Sequence, residues 1–391
     1  MNSDQLTANW NYPTQISVGA GRAEELNQIC IDLNITAPLL VTDPGLAGLP
    51  MTRKLKESCQ SSGLAVQMFK AVKANPTDEN VYDGVKVFRE GAHDAVIAFG
   101  GGSAIDAAKA IALMVGQQGS LWDYEDIGDN WKAVNADGIA PVIAIPTTAG
   151  TGSEVGRASV ITDSVKQIKK IIFHPKMMPK TVILDPLLTV SLPAPITAAT
   201  GMDALSHNLE AYCAKGYHPM AQGIAAEGIV LIKQYLPLAF KEPNNLEART
   251  HMLVASSMGA TAFQKGLGAM HALAHPLGAL YQAHHGRLNA ILMPYVLQAN
   301  RSAIETKLIR LSRFLQLDDG FDGLMRWILE LRHSLGIEHS LAEIGIDAHL
   351  TSRIAEMAVQ DAASYGNPIA FGVKDYQRIL QAAIDGTLDA L

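Results

Sequence analysis

The sequence predicts an α/β domain followed by an all-α domain. Three observations predict it. Short β-branched runs alternate with helically spaced stretches through the first half of the chain. Two of those runs end in glycine- or hydroxyl-rich turns. After Leu192-Pro193 the β-branched runs thin out, and long stretches rich in Ala, Leu and Met take over.

In the first half, Leu39-Leu40-Val41-Thr42 reads as a buried strand ending at Asp43, and Met51 to Ser61 has helical spacing. Ala65 to Phe69 reads as a strand and Thr77 to Gly91 as a helix. Ala95 to Phe99 is a strand that runs through glycines into a helix over Ala104 to Val115. Val142 to Ile145 is a further strand, closed by Pro146. Strands alternating with helices imply βαβ units, a parallel sheet and right-handed crossovers. That is a Rossmann-like domain, assigned to residues 1–190. Gly116 to Gly138 reads as a loop excursion. Residues 191–391 form the helical domain, with helices expected over 195–213, 219–236, 246–263, 270–281, 303–314, 322–335 and 350–363. Gln15 to Val18 reads as an edge strand, suited to pairing across a two-fold axis in a homodimer.

Composition narrows the partners. The 391 residues carry a formal net charge of −7, which speaks against nucleic acid or an anionic membrane, since both select basic surfaces. No apolar run stands out as a membrane span of about 20 residues. The polar N-terminus lacks a basic-then-apolar leader pattern. Cys30, Cys59 and Cys213 form no CxxC pair. This points to a reducing compartment, the cytoplasm, and against a thiolate metal site.

Two turns carry a nucleotide signal. Gly100-Gly101-Gly102-Ser103 joins a strand to a helix, where glycines let the backbone approach a phosphate and the helix N-terminus offers unpaired N–H groups. The alternative is a tight turn without ligand, and the run is not a GxGxxG. Pro146 to Glu154 also follows a strand and offers the hydroxyls of Thr147, Thr148, Thr151 and Ser153. Both turns lie at the carboxyl ends of strands, where open α/β sheets bind ligands. Asp43 sits at a third such end. A carboxylate there can bond ribose hydroxyls and repel a 2′-phosphate, or it can simply cap the next helix.

Histidine supplies the metal signal. Asp203 and His207 are spaced i, i+4 and share a helix face, as do His271 and His275, with His284-His285 close behind. Such pairs are often structural, but an apolar helical domain offers few partners for so many buried polar groups. Three imidazoles and a carboxylate suit Fe(II), Zn(II) or another divalent ion.

At these residues the chain closely resembles the iron-containing, or group III, alcohol dehydrogenases. The resemblance rests on Asn75-Pro76-Thr77, the GGGSxxDxAK stretch Gly100–Lys109, PTTAGTGSEV over Pro146–Val155, TGMDALSH over Thr200–His207, and HALAHPLG with HHG over 271–278 and 284–286. It covers nearly the whole chain. It implies the dehydroquinate synthase-like fold, NAD as cofactor, a homodimer, and metal ligation by Asp203, His207, His271 and His285. It implies cofactor contacts at Asp43, Asn75, Gly101, Gly102, Ser103, Thr147, Thr148, Thr151 and Ser153, and at Lys169 or its neighbour Lys170. His275 falls on a histidine beside the nicotinamide, a candidate proton relay. The implied reaction is hydride transfer between nicotinamide and a small alcohol or aldehyde polarised by the metal, most simply Fe(II). A zinc-dependent polyol dehydrogenase and an ω-hydroxy acid dehydrogenase are the alternatives within this chemistry. A dehydroquinate-synthase-like lyase is disfavoured because no Lys or Arg lies between His271 and His285. The chain departs from the family pattern at Gly156, Phe263 and Ile369, near the expected substrate pocket. Lys265 there is either a substrate-facing charge or a side chain reaching solvent.

Overall fold

A computed structural model describes residues 8–10, 14–166 and 168–391. The chain divides into two compact units, Met1–Ser191 and Leu192–Leu391.

The first unit is built on a seven-stranded sheet. Its strands are β1 (Ala8–Trp10), β2 (Gln15–Val18), β3 (Pro38–Val41), β4 (Gln67–Phe69), β5 (Ala95–Gly100), β6 (Val142–Pro146) and β9 (Thr181–Leu184). The order is β1-β2-β9-β6-β5-β3-β4, parallel throughout except for β1. Strands β3, β5, β6 and β9 are buried along their whole length, which is why they read as continuous apolar runs and not as alternating ones. The chain winds outward from β3 to β4, then returns across β3 to β5. The order therefore reverses between β3 and β5, the crevice where such sheets bind ligands.

Helices α1 (Leu26–Asp32), α2 (Pro44–Ala47), α3 (Pro50–Ser61), α4 (Asp78–Glu90) and α5 (Gly102–Met114) connect these strands. Gln15–Val18 is not an edge strand, because β2 pairs with β9 on one side and with β1 on the other. The edge belongs to Ala8–Trp10. A second sheet, β7 (Ala158–Asp163) with β8 (Ile168–Phe173), is an antiparallel pair. Its inward residues alternate, as in β7, where Ser159, Ile161 and Asp163 are buried. Gly116–Gly138 holds three short 3₁₀ turns.

The second unit is helical throughout. Its helices are α6 (Ala194–Cys213), α7 (Pro219–Lys241), α8 (Leu246–Ala262), α9 (Ala269–Tyr281), α10 (His285–Ala299), α11 (Arg301–Phe314), α12 (Gly320–Ser334), α13 (Thr351–Gln360) and α14 (Val373–Asp385). Helix α6 is buried at every residue from Gly201 to Cys213 and packs against α7, α8 and α10. A helix buried on all sides lies at a core centre, and its polar residues need partners there. Helix α7 is long and apolar enough by composition to cross a membrane, although it contains Glu227 and Lys233 and packs on α6 and α8.

Candidate metal and dinucleotide sites

Three helices bring the metal-type residues together. Helix α6 presents Asp203, His207 and Glu210 along one face, α9 brings His271, and α10 begins at His285. Donor atoms of Asp203, His207 and His271 all lie within 4.8 Å of one another, and all three residues are buried. His285 Nε2 stands 3.8 Å from Asp203 Oδ1. The His207 and His271 rings stack at 4.6 Å. Gly286 makes this approach possible, because a Cβ there would lie 2.3 Å from the Ala199 carbonyl oxygen of α6. A carboxylate and three neutral imidazoles of this kind fit a divalent transition metal.

The start of α9 is held by side chains from elsewhere. Its first N–H groups have no partner within the helix. Glu210 accepts from the Gly268 N–H (2.8 Å) and the Met270 N–H (2.7 Å), while Asn367 Oδ1 accepts from the Ala269 N–H (3.0 Å). Glu210 also takes the His271 Nδ1–H at 2.7 Å. A carboxylate only accepts, so it fixes the tautomer that turns the Nε2 lone pair inward. Burial disfavours the His271 cation, but the Glu210 carboxylate outweighs it and the pKa is raised above 6.5. Protonated His271 thus stabilises the metal-free fold at low pH, a contribution fully present below 6.5 and lost as pH rises through the raised value. A metal must displace that proton. Apparent metal affinity is therefore expected to climb with pH above 6.5, which chelator competition across that range checks. A pH-independent affinity would contradict it.

His275, one turn beyond His271, bonds Asp361 through Nδ1 at 2.8 Å and stacks on His285 with ring centroids 5.5 Å apart. Burial alone would raise the Asp361 pKa. The neighbouring His275 and the Ala363 N–H hold it below the usual carboxylate range instead.

In the first unit, the three strand ends converge as the sequence predicts. A Cβ on Gly102 would lie 2.4 Å from Thr151 Oγ1, and one on Gly100 would lie 3.6 Å from Asp43 Oδ2. The Thr147 N–H donates to the Gly100 carbonyl at 3.0 Å. Asp43 caps α2, its Oδ1 accepting from the Leu46 N–H at 3.0 Å. Ser103 Oγ donates to the Ala74 carbonyl, which ties the segment containing Asn75 to the start of α5. The Ser153 hydroxyl instead donates to Asp106 at 2.5 Å. Lys169 lies on β8 opposite Thr162, whose N–H bonds the Pro76 carbonyl next to Asn75. Lys170 is buried and paired with Glu125 (2.9 Å) and Asp163 (3.5 Å).

Two family models match the chain. The model for iron-containing alcohol dehydrogenase matches residues 13–186, and that for the Fe-containing alcohol dehydrogenase C-terminal family matches 197–384. The chain belongs to the iron-containing alcohol dehydrogenase family. Its relatives include a 4-hydroxybutyrate dehydrogenase of Cupriavidus necator, 37% identical over 95% of this chain and 99% of that one. An NAD-dependent methanol dehydrogenase of Bacillus methanolicus is 34% identical over 96% and 100%. Among solved structures, a 1,3-propanediol oxidoreductase superposes with a TM-score of 0.90 at 34% identity, covering 94% of this chain and 97% of that one. The chain is an NAD-dependent oxidoreductase acting on CH–OH groups, and its family implies NAD and a divalent metal.

Within this member of the family, several residues that organise the candidate sites carry no signal strong enough to stand out in the sequence. Glu210 follows His207 by three positions on the same helix face, a spacing that could have marked it. Asp361 and Asn367 lie far along the chain from their partners. Asp106 and Lys109, inside the glycine motif, fasten the hydroxyl loop. Asp106 accepts from Ser153 Oγ and the Val160 N–H, and Lys109 Nζ donates to the carbonyls of Ser153 (2.9 Å), Gly156 and Ala158.

Lys265 has a structural partner set. Its Nζ donates to the carbonyls of Ala211 (3.1 Å) and Tyr212 (3.0 Å) near the C-terminus of α6. Burial, with Lys307 nearby, lowers its pKa to about 8. Both bonds hold its ammonium against the last turn of α6. Phe263, two residues earlier, packs on the His207 ring at 5.2 Å. Lys265→Met is expected to cost about 1.5 kcal/mol of stability, the scale of hydrogen bonds to a charged group. It should change activity on an ω-hydroxy acid and on its neutral analogue in parallel. A loss confined to the acid would return Lys265 to substrate binding.

Proposed function

We propose that this chain is a cytoplasmic, homodimeric, iron(II)-dependent alcohol dehydrogenase and aldehyde reductase with Asp203, His207, His271 and His285 as metal ligands. One observation carries the reading: four donor side chains from three helices converge, and Glu210 turns one imidazole lone pair inward. A divalent ion there supplies Lewis-acid polarisation of the substrate oxygen, and NAD supplies the hydride acceptor. Asp203 and Glu210 neutralise positive charge at the centre. His275 is the catalytic relay: with Nδ1 turned to Asp361, its Nε2 is the atom that takes the alcohol proton. Zn(II) is the alternative metal, since the donor set suits both ions. Buried free thiols at Cys30, Cys59 and Cys213 support a reducing compartment. The β1 edge, with one neighbour among the described residues, supports pairing between two copies.

Small primary alcohols and diols are the proposed substrates, in line with the methanol and 1,3-propanediol enzymes among the relatives. The 4-hydroxybutyrate dehydrogenase at 37% identity supports an ω-hydroxy acid as the second reading. The test is to reconstitute metal-free protein separately with Fe(II), Zn(II) and Mn(II), assay it on both substrate groups, and read assembly by light scattering. Turnover unaffected by metal removal, or a monomer at micromolar concentration, would overturn the corresponding part.

The cofactor contacts are proposed at Asp43, Asn75, Gly101, Gly102, Ser103, Thr147, Thr148, Thr151 and Lys169, with Ser153 shaping the loop through Asp106. Asp43 Oδ1 serves the helix cap, and Oδ2 faces the Gly100 turn. A carboxylate there selects NAD over NADP. Asp43→Gly should narrow or reverse that preference at a stability cost of a few tenths of a kcal/mol, because glycine also caps well. Equal kcat/KM for NAD and NADP in the unmodified protein would refute the role.

A further inference from the structure

Asn289 lies one turn after His285 on α10 and is fully buried. Its Nδ2 stands 2.9 Å from Asp203 Oδ1, 3.2 Å from His271 Nε2 and 3.2 Å from His285 Nε2. Three donor atoms of the proposed metal centre therefore point at one amide nitrogen. Its closest neighbour settles which end of the amide this is. Asp203 Oδ1, at 2.9 Å, is a carboxylate oxygen and only accepts. The facing group must be the NH₂ end. The other end, Oδ1, is buried with no hydrogen-bond partner among the described residues. A side chain kept only for packing has no reason to carry an orphaned carbonyl.

We infer that Asn289 is a positioning residue that preorganises the metal centre, its amide nitrogen acting as a neutral stand-in that holds Asp203, His271 and His285 converged with their lone pairs inward until a cation takes them. The inference rests on the ligand assignment proposed above and adds a fifth residue, which binds the ligands and not the substrate. Without the amide, the Asp203 carboxylate and the two imidazole nitrogens lose the atom they share, so they turn apart and each must be gathered again when metal binds.

The experiment measures Zn(II) affinity by competition with a chromophoric chelator, and the melting temperature with and without Zn(II), in unmodified protein, Asn289→Leu and Asn289→Asp. Asn289→Leu keeps the volume and removes the donor. It should weaken Zn(II) binding about ten- to a hundredfold, the scale for residues that orient metal ligands. It should also lower the melting temperature of the metal-free protein. Asn289→Asp sets a second carboxylate beside Asp203, so its metal-free form should melt lower still, and Zn(II) should restore more of the loss than it adds to unmodified protein. That rescue reports on the centre even if the leucine variant does not fold. Unchanged or tighter Zn(II) binding in Asn289→Leu, or an aspartate variant that Zn(II) fails to rescue, overturns the inference alone. Failure of the unmodified protein to bind Zn(II) overturns the ligand assignment with it.

Discussion

His207→Ala is expected to abolish most metal binding and most turnover while leaving a folded protein. The imidazole is buried between the His271 ring at 4.6 Å and the Phe263 ring at 5.2 Å. Its loss leaves an under-coordinated centre and a void on one side. A Lewis acid supplies several kcal/mol of transition-state stabilisation, so kcat/KM should fall about a thousandfold or more. The cavity should cost only about 1–3 kcal/mol of stability, less than unfolds a typical domain. Elemental analysis and steady-state kinetics on the same samples check both halves. Full metal content with full turnover would remove His207 from the ligand set.

Glu210→Ala is expected to be the most destabilising single change near the site. Glu210 accepts three hydrogen bonds, from the N–H groups of Gly268 and Met270 and from His271 Nδ1. Alanine leaves all three buried donors without an acceptor, at about 1–3 kcal/mol for each orphan before relaxation and about 3–5 kcal/mol in total for breaking a buried pair. It also frees the His271 ring to rotate and to change tautomer. Metal affinity should fall about ten- to a hundredfold, as it does when a partner that orients a ligating histidine is lost. Glu210→Gln keeps one accepting oxygen and should lie between the two. Chemical denaturation and chelator competition read the two effects. A glutamine variant as damaged as alanine in metal affinity, yet fully stable, would mean that charge matters and the capping bonds do not.

The contrast between Asp203 and Glu210 shows what the sequence makes legible. Asp203 and His207 announce themselves by i, i+4 spacing on a helix, a local rule that holds whatever the rest of the fold does. Glu210 stands on the same face, but its role depends on the start of α9, some sixty positions further along the chain. Asn367 and Asp361 are more remote still, and nothing local distinguishes them from helix-capping residues of a connecting segment. The same divide runs through the α/β unit. Strands β3, β5 and β6 are continuous apolar runs because both their faces are covered, and they read plainly. Strand β9, the TVIL run before Asp185, is as long and as buried as β3, but it follows the β7–β8 pair and a 3₁₀ turn, so the alternation of strands with helices does not point to it. The β7–β8 pair does alternate, yet polar Ser159, Asp163 and Lys170 face inward, which blurs the period. Helix α10 opens directly on a proposed ligand, so its histidines draw attention away from the helical spacing that follows. Asn289 repeats, relative to His285, the i, i+4 relation of Asp203 and His207, and its meaning appears only when three helices meet.

Metal-dependent hydride transfer is the central claim, and isotope transfer tests it most directly. Protein loaded with Fe(II) is mixed with NAD and a primary alcohol in which both carbinol hydrogens are deuterium, and the NADH formed is analysed by mass spectrometry. One deuterium per NADH is expected from the loaded protein, with labelled NADH appearing about a thousandfold more slowly, or not at all, in metal-stripped protein and in His207→Ala. Unlabelled NADH, or label transferred equally well by the stripped protein, would contradict it.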